Sequence, residues 1–214
     1  MRKMYLSAPL PFVGQKRMLA KEFMKVLEQY PDGTLFVDLF GGSGLLSHIT
    51  KSLKPHSTVI YNDFDNYRFR MKHIPQTNQL LADIREMVGN SVPRHKIIKG
   101  ELRERIFSRI EQEENSTGYV DFITLSSSIL FSMKYKLSVQ DMRKEALYNN
   151  IRKTGYPECT DYLEGLEIVS CDYKEVFNRY KDIPGVVFLV DPPYLSTDVG
   201  TYNMYWNMAD YLDV

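Results

Sequence analysis

The stretch Val186-Val187-Phe188-Leu189-Val190-Asp191-Pro192-Pro193-Tyr194 decides the fold of this chain. Its run of five apolar residues is typical of a strand buried on both faces of a parallel sheet. Proline lacks a backbone donor and forces the preceding residue out of helical conformation, so the strand ends at Asp191. We expect a stiff loop that holds Asp191 and Tyr194 at the carboxyl end of the strand, where open α/β sheets bind ligands. A purely structural Pro-Pro turn is the alternative for these residues taken alone.

Upstream residues predict the rest of such a sheet. Residues 34–40 form a second apolar run, which is closed by Gly41-Gly42-Ser43-Gly44. A helix is expected over residues 45–53 and another strand over residues 58–61, which ends in Asn62-Asp63-Phe64-Asp65. Strand, glycine turn, helix and strand make a βαβ unit with a parallel strand pair. The predicted fold class is therefore α/β, with a doubly wound, mostly parallel sheet.

The middle of the chain has a different character. Residues 68–165 are mostly polar and helix-like, so we expect a helical insertion between the two parts of the α/β domain, residues 1–67 and 166–214. From Arg94 to Lys153 there are 12 Lys and Arg against 8 Asp and Glu. This surplus favours contact with a polyanion, although a solvated helix face explains any single basic run.

Sheet signals resume after the insertion. We expect a strand over residues 166–172 and a helix over residues 173–180. Because the apolar strand at 186–190 would otherwise lie at an open edge of the sheet, we also expect further strands beyond residue 214.

Composition limits the classes of protein. The 27 basic and 27 acidic residues balance, and only Cys159 and Cys171 are cysteines, so a reducing cytoplasm is the expected location. No run reaches membrane-spanning length. The four histidines lack metal-ligand spacing, so we expect no metal site and assign them surface or capping roles: His48, His56, His73 and His95. Nothing in the sequence indicates the oligomeric state.

The glycine motif predicts a nucleoside-type cofactor. Glycines at a strand-to-helix turn allow a ligand to approach the backbone, and Asp63 lies near the distance along the chain at which a ribose-binding acid is expected. No Gly-Lys-Ser/Thr follows, which argues against a phosphate-binding loop, and the third glycine of a dinucleotide fingerprint is missing. Asp38, just before the glycines, suits a ligand that carries an ammonium group.

Four motifs in this order resemble the Dam-like (alpha-group) adenine-N6 DNA methyltransferases. They are Phe12-Val13-Gly14-Gln15-Lys16, Asp38-Leu39-Phe40-Gly41-Gly42-Ser43-Gly44, Asn62-Asp63 and Asp191-Pro192-Pro193-Tyr194. In that family, target recognition lies between the glycine motif and the Asp-Pro-Pro-Tyr motif. The resemblance covers residues 7–65 and about 166–205, whereas the region between them matches only in being a helical insertion.

The resemblance implies a Rossmann-like domain that binds S-adenosylmethionine, with double-stranded DNA as partner and a flipped adenine as target. It implies that the insertion at 68–165 recognises the DNA. The implied catalytic residues are Asp191, Pro192 and Tyr194. The implied cofactor-binding residues are Phe12, Gly14, Lys16, Asp38, Phe40, Gly42, Gly44, Asp63, Asp172 and Asp191.

Chemistry agrees with these implied roles. The lone pair of an exocyclic amine is delocalised into its ring, and two acceptors aimed at its hydrogens would make the nitrogen more nucleophilic. The carboxylate of Asp191 and the carbonyl of Pro192 can be those acceptors, while Tyr194 can stack on a flipped base. An RNA or protein methyltransferase on the same scaffold, and an inactive module that binds cofactor and DNA, are the alternatives. A stand-alone role, restriction-modification and a phage origin all stay open.

Overall fold

The computed structural model describes residues 3–131 and 135–192 of the 214-residue chain. The chain divides into two compact units, one of Met1–Phe69 with Cys159–Val214 and one of Arg70–Glu158. The helices and strands, in chain order, are α1 (Ala20–Leu27), β1 (Phe36–Asp38), α2 (Leu45–Leu53), β2 (Val59–Asn62), α3 (Tyr67–Lys72), α4 (Ile74–Val88), β3 (Ile97–Ile98), α5 (Gly100–Thr117), α6 (Phe122–Ile129), α7 (Val139–Arg143), β4 (Leu147–Tyr148), β5 (Glu167–Val169), α8 (Tyr173–Tyr180) and β6 (Val187–Leu189).

The first unit is built on a four-stranded sheet in the order β5-β2-β1-β6. Every neighbouring pair is parallel, which confirms the predicted sheet. The chain runs outward from β1 to β2 and β5, and then returns to place β6 on the other side of β1. The strand order therefore reverses between β1 and β6, and in open α/β sheets ligands bind beside such a reversal, at the carboxyl ends of the strands.

Helices cover both faces of this sheet. On one face, α1 and α2 pack through Leu27 and Ile49 against Phe36 of β1. On the other face, Tyr173 and Val176 of α8 form a cluster with strand residues that include Val37. Because successive strand residues point to opposite faces, the continuous apolar runs of the sequence supply both layers. The arrangement is the doubly wound sheet that the sequence predicts.

The strand that decides the fold is less buried than its composition suggests. Residues 187 and 188 of β6 are half-buried, whereas the three residues of β1 are fully buried. β1 has a strand on each side, while β6 is bonded to β1 alone within the described residues. The apolar run thus predicted the strand correctly, but burial on both faces is observed in the centre of the sheet.

The Arg70–Glu158 unit is mainly helical around an apolar core that includes Ile84, Phe107 and Leu125. Its helices are accompanied by the short antiparallel pair β3–β4. A buried ion pair joins Arg70 Nε to Asp121, 3.1 Å away, and Asp121 also accepts the Thr124 N–H to begin α6. A buried charge is stable in such surroundings because it is paired and hydrogen-bonded.

Candidate active site

A pocket lies at the carboxyl edge of the parallel sheet, beside the strand-order reversal. It contains about 810 Å³ of empty space, part of which is open to solvent. The amino-terminal segment, the glycine loop, the residues after β2, the start of α8 and the end of β6 all contribute to it. The lining residues used below are Phe12, Gly14, Lys16, Phe40, Gly41, Gly42, Asn62, Asp65, Tyr173, Asp191 and Pro192.

The pocket collects most of the residues that the sequence proposes for one site. Seven of them line it: Phe12, Gly14, Lys16, Phe40, Gly42, Asp191 and Pro192. Four others lie in the same unit but do not line it: Asp38, Gly44, Asp63 and Asp172. Tyr194 lies outside the described residues, as do Tyr202, Tyr205 and Trp206.

Asp191 and Lys16 form an ion pair at the pocket. Lys16 Nζ lies 2.8 Å from Asp191 Oδ2, and their side chains are only 15% and 23% exposed. Lys16 Nζ also donates to the carbonyl of Gly14 at 3.0 Å, which fixes the ammonium group. Burial raises the pKa of Asp191, and the neighbouring ammonium group acts in the opposite direction. The pair joins two residues that are 175 positions apart in the sequence.

Asp38 is a second strand-end carboxyl, but the protein encloses it. The residue is 1% exposed, and its Oδ2 accepts a hydrogen bond from Ser47 Oγ at 2.6 Å. Its Oδ1 has no hydrogen-bond partner within the part of the chain that the structure describes. Burial raises the pKa of Asp38 to about 7, and the charge of Asp191 adds to the increase. Asp38 therefore lies close enough to the pocket to act on its electrostatics without lining it.

The glycine loop is shaped by close contact with Tyr61. A Cβ on Gly41 would lie 2.3 Å from the Tyr61 ring, so no other residue fits without movement of the ring. The Tyr61 hydroxyl donates to the carbonyl of Gly42 at 2.8 Å. Gly42 has φ 48°, and a Cβ there would lie 2.9 Å from the Phe12 ring. The loop thus brings its backbone close to the pocket because glycine has no side chain.

Two acids follow β2, and only the second reaches the pocket. Asp63 is buried, and its carboxylate accepts the N–H groups of Tyr67 at 2.6 Å and Arg68 at 3.1 Å, at the start of α3. The Tyr61 hydroxyl lies 3.0 Å from it as well, so the single proton of that hydroxyl is shared between Asp63 and the Gly42 carbonyl. Burial raises the pKa of Asp63. Asp65, by contrast, lines the pocket. Asp65 is not among the predicted site residues, although Asn62-Asp63-Phe64-Asp65 carries both acids.

In the segment before α8, too, the predicted acid caps a helix and a residue close to it lines the pocket. Asp172 accepts the Lys174 N–H at 2.8 Å and thereby caps α8. The next residue, Tyr173, lines the pocket, and its ring centroid lies 5.0 Å from that of Phe40. The sequence analysis treated Tyr173 only as the start of a helix. An aromatic residue directly after a predicted strand-end acid is the signal that could have identified it.

Asn62 holds the strand ends together at the pocket. Its Nδ2 donates to the carbonyls of Leu39 and Cys171, at 3.0 and 2.9 Å, and its Oδ1 accepts the Cys171 N–H at 3.1 Å. One side chain therefore bridges the segments that follow β1 and β5. The sequence analysis used Asn62 only as part of a motif and did not predict this bridge.

The amino-terminal segment is fixed by His48, for which the predicted surface or capping role is wrong. His48 is fully buried in α2, and its Nε2 accepts the Tyr5 N–H at 2.9 Å. Its Nδ1 therefore carries the proton that is donated to the Tyr162 carbonyl, 2.7 Å away. Further along the segment, the Tyr67 hydroxyl bonds both the N–H and the carbonyl of Leu10. These contacts hold the residues that precede the Phe12–Lys16 wall of the pocket.

Two classes of feature are absent from the described residues. They contain no helix that could span a membrane. Within the same ranges, no three His, Cys, Asp or Glu side chains are arranged to hold a metal ion.

Comparison with known proteins agrees with the motif order. The family model of the D12 class N6 adenine-specific DNA methyltransferases matches residues 12–213. A protein of Haemophilus influenzae named "Putative methyltransferase" is 39% identical over 217 residues, an alignment that covers 99% of this chain and 72% of that protein. The chain belongs to the D12 class N6 adenine-specific DNA methyltransferase family, and its reaction is methyl transfer to the N6 amino group of adenine in DNA.

Proposed function

We propose that the pocket binds S-adenosylmethionine and that Asp191 and Pro192, at its edge, receive the amino group of the target adenine. The main support for this proposal is that the glycine loop and the Asp191–Lys16 ion pair line the same pocket. Methyl transfer requires donor and acceptor to meet at one point, since positioning supplies much of the catalysis. The family already implies a methyl donor of this kind.

The chemistry of the lining fits such a donor. S-adenosylmethionine combines cationic groups, ribose hydroxyls and a planar base. The carboxylates of Asp65 and Asp191 suit cations and hydroxyls, and the Phe40–Tyr173 pair offers an aromatic wall for a base. The unpartnered Oδ1 of Asp38 adds a buried acceptor nearby. We assign the contact with the ribose to Asp65, because the carboxylate of Asp63 is already bonded to the start of α3.

The residues of this chain prepare the acceptor. When bound, the donor supplies an electrophilic methyl group on a positively charged sulfur. The carboxylate of Asp191 and the carbonyl of Pro192 accept hydrogen bonds from the adenine amino group, which concentrates its lone pair on nitrogen for in-line attack. Asp191 would hold the proton that leaves the amino nitrogen when that nitrogen takes up the methyl group. Lys16 must share Asp191 with the incoming amino group, because both need the same carboxylate.

Access to the amino group requires the adenine to leave the duplex, and Tyr194 is the proposed stacking partner. Sequencing the DNA of an expressing host for N6-methyladenine would identify the target sequence. A duplex with 2-aminopurine at that position should then become brighter on binding, because the unstacked base is less quenched. Unchanged fluorescence in a complex that still methylates the normal duplex would contradict flipping.

The first prediction concerns Asp191. Replacing it with alanine should lower methyl transfer to duplex DNA by about 10²- to 10³-fold or more, because the amino group loses its charged acceptor. Binding of S-adenosylmethionine should change only a few-fold. Transfer of labelled methyl and calorimetry measure the two quantities.

Asp182→Ala is the matched control, because Asp182 is an exposed carboxylate in the same unit. It should leave both quantities unchanged. Equal transfer by Asp191→Ala and the unmodified protein would remove the assigned role of Asp191.

A further inference from the structure

The β3–β4 region of the Arg70–Glu158 unit carries cations without carboxylate partners. No Asp or Glu occurs from residue 87 to 100 or from residue 146 to 157. These two segments contain five Lys and Arg residues, all exposed: Arg94, Lys96, Lys99, Arg152 and Lys153. No ion pair joins any of the five to a carboxylate in the described part of the chain.

Several other cations of the same unit are paired with carboxylates. Arg109 lies 2.8 Å from Asp83, Arg143 lies 3.0 Å from Glu111, and further pairs join Lys136 to Glu145 and Lys144 to Asp141. The contrast is local, because both groups belong to one compact unit. Five exposed cations that have no ion pair among the described residues therefore lie on the two β3–β4 segments, which we call the β3–β4 surface, residues 94–99 and 147–153.

This surface is ordered by backbone contacts. The His95 N–H donates to the Asn149 carbonyl at 3.0 Å, and the Asn149 N–H donates to the Lys96 carbonyl at 2.9 Å. Two residues therefore oppose one, as in a β-bulge, and His95 has φ 64°. Arg94 donates to the carbonyl of Ile151, and Arg152 lies over the Tyr156 ring at 4.3 Å. The two arginines are thus held in place while their charge stays exposed.

Exposed apolar side chains lie beside the charges. Ile97 is directly opposite Tyr148 in the strand pair, so the two share a face, and Phe131 packs on Tyr148 with ring centroids 5.8 Å apart. Phe131 and Ile97 are 59% and 39% exposed. Cations beside apolar groups complement a nucleic-acid backbone, in which phosphates alternate with sugars.

We propose that the β3–β4 surface binds the phosphodiester backbone of double-stranded DNA. The inference rests on the proposed function in taking duplex DNA as the substrate, and it adds which surface of the Arg70–Glu158 unit holds that DNA. Phosphate contacts carry no base information. The surface accordingly supplies affinity that is independent of sequence, and removing it leaves the recognised sequence unchanged.

The test is the triple variant Lys96→Gln, Lys99→Gln, Lys153→Gln, with binding to a fluorescein-labelled mixed-sequence duplex measured by anisotropy over a range of salt. Affinity at low salt should fall about tenfold, and the slope of log K against log salt should decrease by roughly 0.9 for each lost contact. The KM for DNA should rise while kcat at saturating DNA stays the same. Binding of S-adenosylmethionine should not change.

A matched triple variant, Lys21→Gln, Lys25→Gln, Lys144→Gln, removes the same net charge from other surfaces. Lys25 and Lys144 are paired with carboxylates. If both triple variants bind DNA equally, or if the β3–β4 variant loses affinity for single-stranded RNA but none for duplex DNA, the proposal is wrong. The binding assay needs no turnover, so it can fail or succeed independently of methyl transfer, which is measured on the unmodified protein.

Discussion

Asp38 and Asp191 are carboxyl groups at the ends of adjacent parallel strands, and their surroundings differ completely. Asp38 ends the central strand β1, is enclosed by the protein and is bonded to Ser47. Asp191 follows the outer strand β6, lines the pocket and is paired with Lys16. The same signal in the sequence, an acid after an apolar run, therefore leads to two different surroundings. One acid is enclosed by the protein, and the other lines the pocket.

The largest effect should come from removing the charge of Asp38. Its pKa rises on folding from 3.8 to about 7, so the folded state keeps a proton that the unfolded state loses over this range. The free energy of unfolding should consequently decrease as pH rises through this window, by up to about 1.4 kcal/mol per pH unit, and level off above it. Below this pH range Asp38 is protonated in both the folded and the unfolded state, so its titration does not lower the free energy of unfolding.

Asp38→Asn should remove this pH-dependent loss of stability, because asparagine is neutral and its Oδ1 can still accept a hydrogen bond from Ser47. The variant should be more stable than the unmodified protein near pH 8 and similar to it near pH 4. Denaturant unfolding of both proteins over a range of pH measures the difference between their free energies of unfolding. Because Asp63 and Asp191 are present in both proteins, their titration cancels in this difference. A difference independent of pH would show that Asp38 is not protonated in the folded state.

A smaller effect should separate Asp63 from Asp65, which repeat the contrast between enclosed and accessible acids. Asp63→Asn should lower the free energy of unfolding by about 1 kcal/mol, because it weakens the cap of α3. Asp65→Asn should weaken binding of S-adenosylmethionine about tenfold, since a hydrogen bond to a charged group contributes about 1.5–3 kcal/mol. Thermal unfolding and calorimetry distinguish the two. If Asp63→Asn instead weakens binding of S-adenosylmethionine and Asp65→Asn does not, the ribose contact belongs to Asp63.

The smallest effect should come from Lys16→Gln, which changes the surroundings of Asp191 without removing it. Loss of the ammonium group should raise the pKa of Asp191 further, since Lys16 is the group that opposes the effect of burial. The acidic limb of the kcat profile should therefore move to higher pH. Lys21→Gln, on an exposed lysine, is the control. An unshifted pH profile would mean that the ion pair with Lys16 does not control the pKa of Asp191.

Local patterns predicted the elements that position the site. The expected helices over residues 45–53 and 173–180 are α2 and α8, and the four apolar runs are the four strands of the parallel sheet. Periodicity works here because the apolar pattern of a strand and the cap of a helix depend on neighbours in the sequence. Assigning roles to single acids was harder. The cofactor contacts of Asp63 and Asp172 stay predictions, and in the structure both carboxylates bond to N–H groups at a helix start.

Those assignments depended on side-chain direction, which motifs do not specify. A carboxylate just before a helix can cap that helix or face a ligand, and a shift of one or two residues along the turn exchanges the two outcomes. Asp65 and Tyr173 line the pocket for this reason. His48 illustrates the same limit, since its ring nitrogens bond to Tyr5 and Tyr162, which are remote from it in the sequence.

The sequence by itself determined the parallel sheet, the glycine turn, the order of the motifs and the carboxylate that ends the last apolar run. These follow from backbone preferences and from the periodicity of apolar residues, which act over a few positions. Only the tertiary structure decided that β6 lies beside β1, that Lys16 reaches Asp191 and that Asp38 is enclosed. The physical reason is that burial and charge pairing are set by neighbours in space, and the crossover to β6 brings together residues that are far apart in the chain.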